Sequence, residues 1–301
     1  MNSEVLISST SRSRWLDREF VQTMAELTKA RLNSLVLLTT AAGYYLGSSG
    51  PLDGWGLARV LGGTGLLAGG AAVLNQYLER DFDALMTRTA HRPLPAGRVK
   101  PESALLLGGL MALAGLVYLA AEVNLLTAFL GAVTLITYLF IYTPLKRRTI
   151  WNTVVGAVPG ALPPVMGWVA AQGRLDWGAL AVFAILFFWQ VPHFLAIAWL
   201  YREDYARGGY VMLPVVDSQG GRTARHALYY TVAMMTASVL PALLGLTGGI
   251  YLAGALLLGG LFLSATLWFA RCLHRSSARA LFLASILYHP VLVGLMVWDK
   301  I

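Results

Sequence analysis

Charge is scarce in this chain. Only 13% of its 301 residues are charged and 57% are hydrophobic, whereas a soluble domain carries roughly a quarter charged residues. That shortage excludes a pair of soluble domains and points to an integral membrane protein. Cysteine is nearly absent. Cys272 stands alone, which excludes an internal disulfide and a thiolate metal site. Strict apolar–polar alternation is missing too. The hydrophobic runs are continuous, so helices rather than a transmembrane β-barrel are expected. The N-terminus lacks an apolar core ahead of a small-residue cleavage site, so no removable leader is expected. Residues 1–20 are polar and Ser-rich and read as a disordered arm, leaving 21–301 as one domain. Arg12, Arg14 and Arg18 among serines would suit a mitochondrial address, but Glu4, Asp17 and Glu19 count against it.

What is abundant is long apolar sequence. A spanning helix needs about 20 mostly apolar residues. Nine stretches qualify: 33–49, 57–78, 103–121, 124–142, 151–171, 176–200, 225–246, 250–271 and 279–298. The fold class expected is all-α, a polytopic membrane bundle. The net charge of +8 is spread along loops, which favours an anionic lipid surface and sets nucleic acid aside. Basic residues gather before the first span (Lys29, Arg31) and after the second (Arg80, Arg88, Arg92, Arg98, Lys100). They recur after the fourth (Lys146, Arg147, Arg148), the sixth (Arg202, Arg207, Arg222, Arg225) and the eighth (Arg271, Arg275, Arg279). With nine spans, all five segments share one side. The N-terminus is then cytoplasmic and the C-terminus outside, in the cell membrane. The two longest loops fall on the cytoplasmic side, where the chemistry is expected.

The most chemically loaded stretch is NQYLERDFDALMTRTAHRPLPAGR, Asn75 to Arg98. Asn75, Glu79 and Asp83 are spaced i, i+4, i+8, so on a helix they drift by only about 40° per step and point the same way. An amide and two carboxylates on one face suit a hard divalent cation such as magnesium, which shares its shell with substrate phosphates. Arg88, Arg92 and Arg98 follow and suit the rest of a diphosphate. The competing reading is a solvated helix end in which the acids pair with Arg80 and Arg88. Lys146 and Arg147 are either a topology signal or cations that reach the same diphosphate from another helix. Tyr138 and Tyr142, four apart, could face a developing positive charge. Pro159, Pro163 and Pro164 predict a kink or a cavity wall. In WQVPHFLAIAWLYREDYARGGYVMLPVVD, Asp204 either binds a second cation or pairs with Arg202 or Arg207. His193 is either a packed core histidine or a ligand.

NQYLERDFDALMTRTAHRPLPAG resembles the first motif of the UbiA-type intramembrane prenyltransferases. YTPLKRRTIWNTVVGAVPGALPPVMGW, the WQVPHF and DYARGGYVMLP segments, and LTKARLN at Leu27–Asn33 resemble the heme O synthase branch of that family. The resemblance runs from about residue 24 to the C-terminus. It implies a nine-helix bundle with a cavity open to the cytoplasm. The implied reaction moves farnesyl from farnesyl diphosphate to a vinyl group of heme B, with addition of water. Magnesium and catalysis fall on Asn75, Glu79 and Asp83, with Lys146 beside them. Diphosphate falls on Arg88, Arg92, Lys146 and Arg147, and heme on His193, Tyr201 and Tyr205. A downstream heme-modifying membrane enzyme is a candidate partner. Relatives acting on aromatic acids or quinone precursors carry a second motif with acids four apart. Tyr201 and Tyr205 occupy those positions here, and Asp204 is what remains as a second metal ligand. The rival readings are a prenyltransferase for an aromatic acid or quinone precursor, and a transport or heme-handling protein without catalysis. Polar clusters gathered at one face disfavour transport.

Overall fold

The computed structural model describes residues 18–301. The arm read over 1–20 lies outside the described residues, except for its last three, which already belong to helix α1 (18–27). Then come α2 (Ala30–Gly47), α3 (Gly54–Asp83), α4 (Pro101–Glu122) and α5 (Leu125–Ile136). A π turn over Thr137–Tyr142 joins α5 to the short α6 (Thr143–Leu145). The remainder is α7 (Asn152–Gln172), α8 (Trp177–Leu200), α9 (Arg202–Arg207), α10 (Leu213–Val216), α11 (Gly221–Leu243), α12 (Gly249–Cys272) and α13 (Arg275–Trp298). Among the described residues the only bridge is an isolated one, Thr247 to Lys300.

Local chemistry sets the ends of these helices. The carboxylate of Asp53 accepts from the Trp55 amide at the start of α3, Asn124 from Thr127 at the start of α5, and Asp176 from Ala179 at the start of α8. Each satisfies an amide that has no partner within its own helix. Pro101 opens α4, where its missing N–H costs nothing. The three prolines of α7 do not end it: the helix is unbroken, and Pro159, Pro163 and Pro164 are buried within it.

Seven helical stretches among the described residues, one of them α5 through α6 as a single run over Leu125–Leu145, are long and apolar enough to cross a membrane. They match the expected spans except the first and seventh. Helices α2 and α11 stand at those two places but fall short of the same apolarity. The reason is in their sequences: α2 carries Arg31, Asn33, Ser34 and two threonines, and α11 opens on Arg222, Thr223, Arg225 and His226. On this criterion seven of the nine expected spans are met.

Helix pairs approach closely where side chains are small, as membrane helices do. Helix α2 lies against α7 with Gly43 on the Pro164 backbone and Gly167 on the Thr40 carbonyl. On α3 and α4, a Cβ at Gly70 would stand 2.5 Å from the Ala112 nitrogen and one at Gly115 2.6 Å from the Leu67 nitrogen. Helix α8 packs on α7, α11 and α13, α12 packs on α11 and α13, and α13 returns to α2. Trp168, Tyr251, Tyr288, Phe262 and Phe269 fill the core. Leucines 106, 110, 113, 256, 257 and 261 face outward, as a lipid-facing surface requires.

Candidate active site

The last turns of α3 carry the first motif. Asn75, Glu79 and Asp83 are 1%, 4% and 1% exposed, so they are not a solvated helix end. Asp81, which points elsewhere, is exposed and pairs with Arg80. The Asn75 amide donates to Glu79 Oε2 at 3.0 Å and to Thr143 Oγ1 at 3.2 Å. Each of the three side chains also meets a cation from a different segment. Lys29 Nζ lies 2.7 Å from Asn75 Oδ1, Lys146 Nζ 2.7 Å from Glu79 Oε1, and Arg92 2.6 Å from Asp83 Oδ2.

Lys29 was read in the sequence only as a basic residue before the first span. It sits at the break between α1 and α2 with φ 51° and ψ 47°, a left-handed conformation that costs a non-glycine residue roughly 1–2 kcal/mol. The break is built around it. Gln76 of α3 donates to the Glu26 and Leu27 carbonyls, and Asn33 donates to the Thr28 carbonyl. Strain of this kind collects at functional sites. Burial, with Arg92 and Lys146 nearby, lowers the Lys29 pKa to about 7, against the pull of Glu79 and Asp83. Burial also opposes charge on Lys146. There Glu79 and the surrounding phenols prevail, and its pKa stands well above the usual lysine value.

The π turn aims the next group. Tyr138 and Tyr142 stack with ring centroids 6.1 Å apart, and Lys146 Nζ lies 4.6 Å from the Tyr142 centroid. Thr143 donates to the Tyr138 carbonyl while touching Asn75, so the turn is fastened to the motif. Gly156 of α7 lies under the ring: a Cβ there would stand 2.5 Å from Tyr142.

The loop after α8 folds over this cluster. Gly209, at φ +69°, makes the turn that buries Tyr210 beside it. The Val211 amide donates to the Lys146 carbonyl at 2.7 Å, and Asn152 holds the Val211 carbonyl. Burial and then Glu79 push the Tyr210 pKa up. Asp204 accepts from the Thr87 and Arg88 amides at 3.3 and 3.2 Å and pairs with Arg207. Burial would raise its pKa, but Arg207 and the two amides hold it below the usual carboxylate value.

Other sequence-predicted residues fall as follows. Arg88 lies over the rings of Tyr201 and Tyr205, 5.6 and 5.5 Å from their centroids, and donates to the Tyr205 hydroxyl at 3.3 Å. Arg147 stacks 3.8 Å over Phe82 and is exposed. Arg98 ties the loop back to α1 through Glu26 and Thr23. His193 stands apart, between α8 and α13. Its Nδ1 is 2.7 Å from Ser285 Oγ, and its ring lies against Trp189 and Phe282. Ser285 donates its one proton to the Phe282 carbonyl.

Residues 36–288 match the UbiA prenyltransferase family. Among curated proteins, the chain is 48% identical to a protoheme IX farnesyltransferase of Solibacter usitatus, over 91% of this chain and 97% of that one. It is 48% identical to one of Salinibacter ruber, over 91% and 96%. Among solved structures, its fold is similar to a digeranylgeranylglyceryl phosphate synthase at TM-score 0.80 and 16% identity, covering 93% of this chain and 98% of that one. It is also similar to a UbiA homolog from Archaeoglobus fulgidus bound to DMAPP and Mg2+, at TM-score 0.64 and 15% identity, covering 91% and 99%. Sequence match, fold and the motif at the end of α3 agree: this chain belongs to the UbiA prenyltransferase family.

Proposed function

We propose that this membrane protein transfers farnesyl from farnesyl diphosphate to a vinyl group of heme B, adding water to give heme O. The observation that carries the reading is the buried triad Asn75, Glu79 and Asp83, ringed by Lys29, Lys146 and Arg92. The triad fits magnesium by its donor set: one amide and two carboxylate oxygens drawn to one face, whose partners from other segments are side-chain cations that a diphosphate would draw to itself. A magnesium ion held there would neutralise the diphosphate as charge builds on the leaving oxygen. The chain's own cations do the rest of that work. Lys146, Arg92 and Lys29 reach the triad from three segments and would close on the diphosphate oxygens. Arg88 would meet it from the rim.

Tyr142, whose ring lies under Lys146, and Tyr138 stacked on it would shield the place where an allylic cation develops. The vinyl terminus bonds to farnesyl C1 as the C–O bond breaks. The cation left on the porphyrin side takes water and loses a proton, so diphosphate and one proton depart. His193, with its ring set against Trp189 and Phe282, is the residue proposed to face the heme. The site opens toward the cytoplasm, because Lys29, Arg88, Arg92, Lys146 and Arg207 all lie at one end of the bundle. That reading puts the N-terminus inside and the C-terminus outside.

The test is replacement of Glu79 and Asp83, each by Ala, in purified protein supplied with both substrates and magnesium. Each substitution is expected to slow farnesyl transfer by about a hundredfold or more. Heme O formed at the unaltered rate by both variants would overturn the reading. Transfer to an aromatic acid or quinone precursor in place of heme would keep the fold and change the acceptor.

A further inference from the structure

We infer that Asp204 is not a second magnesium ligand but a positioning residue: it fastens the second cytoplasmic loop to the turn after the first motif and so sets Arg88. The inference rests on the proposed function only in giving Arg88 a diphosphate to meet.

Three observations carry it. The first is occupancy of the carboxylate. Asp204 Oδ1 takes the Thr87 amide and the Arg207 guanidinium, and Oδ2 takes the Arg88 amide. Arg207 also donates to Thr87 Oγ1 at 3.0 Å, so both members of the ion pair grip the same turn. To bind a metal, this carboxylate would have to release the backbone it holds.

The second is the missing partner. A second magnesium needs further oxygen ligands, and the positions around Asp204 do not supply them. Tyr201 and Tyr205 stand where relatives carry acids, and Glu203 is exposed on another face. The residues present therefore do not fit a second metal, and no step is routed through one.

The third is what the staple presents. Tyr201, Asp204 and Tyr205 share one face at i, i+3 and i+4. The two rings form a bed for the Arg88 guanidinium while Asp204 holds the Arg88 backbone. Beneath them Met86, from the same turn, is buried with Ala198, Tyr210 and Met212. Backbone, side chain and the residue two before it are all seated on the second loop. An arginine has a long, flexible side chain, and fixing both ends of it removes freedom that diphosphate binding would otherwise have to remove.

The experiment uses the full chain in lipid nanodiscs, with Asp204→Asn and Arg207→Gln. Three quantities are read: the rate of trypsin cleavage after Arg88, the number and half-saturation of bound Mn2+ by electron paramagnetic resonance with inorganic diphosphate, and KM against kcat for farnesyl diphosphate. With Asp204→Asn, cleavage after Arg88 should quicken and KM should rise by about tenfold, as loss of a charge-assisted hydrogen bond implies. The kcat should stay within about twofold, and Mn2+ number and half-saturation should be unchanged. Arg207→Gln leaves the carboxylate in place yet should shift cleavage and KM the same way, by less. Loss of one bound Mn2+, or a tenfold weaker Mn2+ half-saturation with unchanged cleavage, would overturn the inference. So would an Arg207→Gln protein that cleaves like the parent. The trypsin and Mn2+ readings need no acceptor. A failure of heme as the acceptor would therefore show only in product analysis, not here.

Discussion

Lys29 is half-buried and pressed by two other cations, both of which work against a charged lysine, and its backbone is held in a left-handed turn. Its side-chain nitrogen reaches Asn75, 46 positions along the chain. Removing the side chain should therefore cost function more than fold. Lys29→Met is expected to raise the KM for farnesyl diphosphate by about tenfold. Thermal unfolding of the same sample should shift little; a large loss of thermal stability with unaltered KM would make the residue structural. The sequence shows why this position was hard to read. Asn75, Glu79 and Asp83 declare themselves through helical spacing, which is a local property. Lys29 depends on a break between two helices and on contact with a third, and neither leaves a periodic trace. Asp204 was ambiguous for a related reason: spacing shows which acids share a face but not which carboxylates are spent on backbone amides.

At the scale of elements, the π turn over Thr137–Tyr142 decides how Thr143 and Lys146 meet Asn75 and Glu79 on α3. An α-helix continued through this segment would rotate Tyr142 and Lys146 away from the motif on α3, because one extra residue in a turn shifts everything after it. The turn is backed by Gly156, which leaves room for the Tyr142 ring. Gly156→Val should push that ring toward the site, lowering kcat by about tenfold with a smaller change in KM. A Gly156→Val enzyme with parental kcat would show that Tyr142 has space to spare. The span from 124 to 142 was readable from its apolar run, but the π turn inside it was not, since its residues have ordinary helical composition. Helices α2 and α11 were read as spans from the sequence; their polar residues hold them below the apolarity of the other seven, and small-residue contacts such as Gly43 on Pro164 pack α2 into the bundle.

For the molecule as a whole, the bundle closes where its last residues meet its first long helix. Lys300 Nζ donates to the Tyr45 and Ser48 carbonyls, each at 2.6 Å, and lies over the Tyr45 ring. Asp299 accepts from the Tyr251 amide, and its carbonyl takes the Gly248 amide. Lys300→Met gives up two charge-assisted hydrogen bonds and should cost about 2–3 kcal/mol of stability. This clasp is at the end of the bundle away from the triad, so KM for farnesyl diphosphate should not change; a raised KM with parental stability would contradict that role. The all-helical class and the one-sided placement of the acids and arginines could be read from composition and loop charge. Closure of the bundle could not, because it rests on carbonyls that every residue carries. The most direct test of the central claim is mass spectrometry of pigment extracted after purified protein is given heme B, farnesyl diphosphate and magnesium, beside a magnesium-free control. The result expected is a heme heavier by one farnesyl and one hydroxyl group, formed only with magnesium. Unmodified heme B in both samples, from protein shown to be folded, would contradict it.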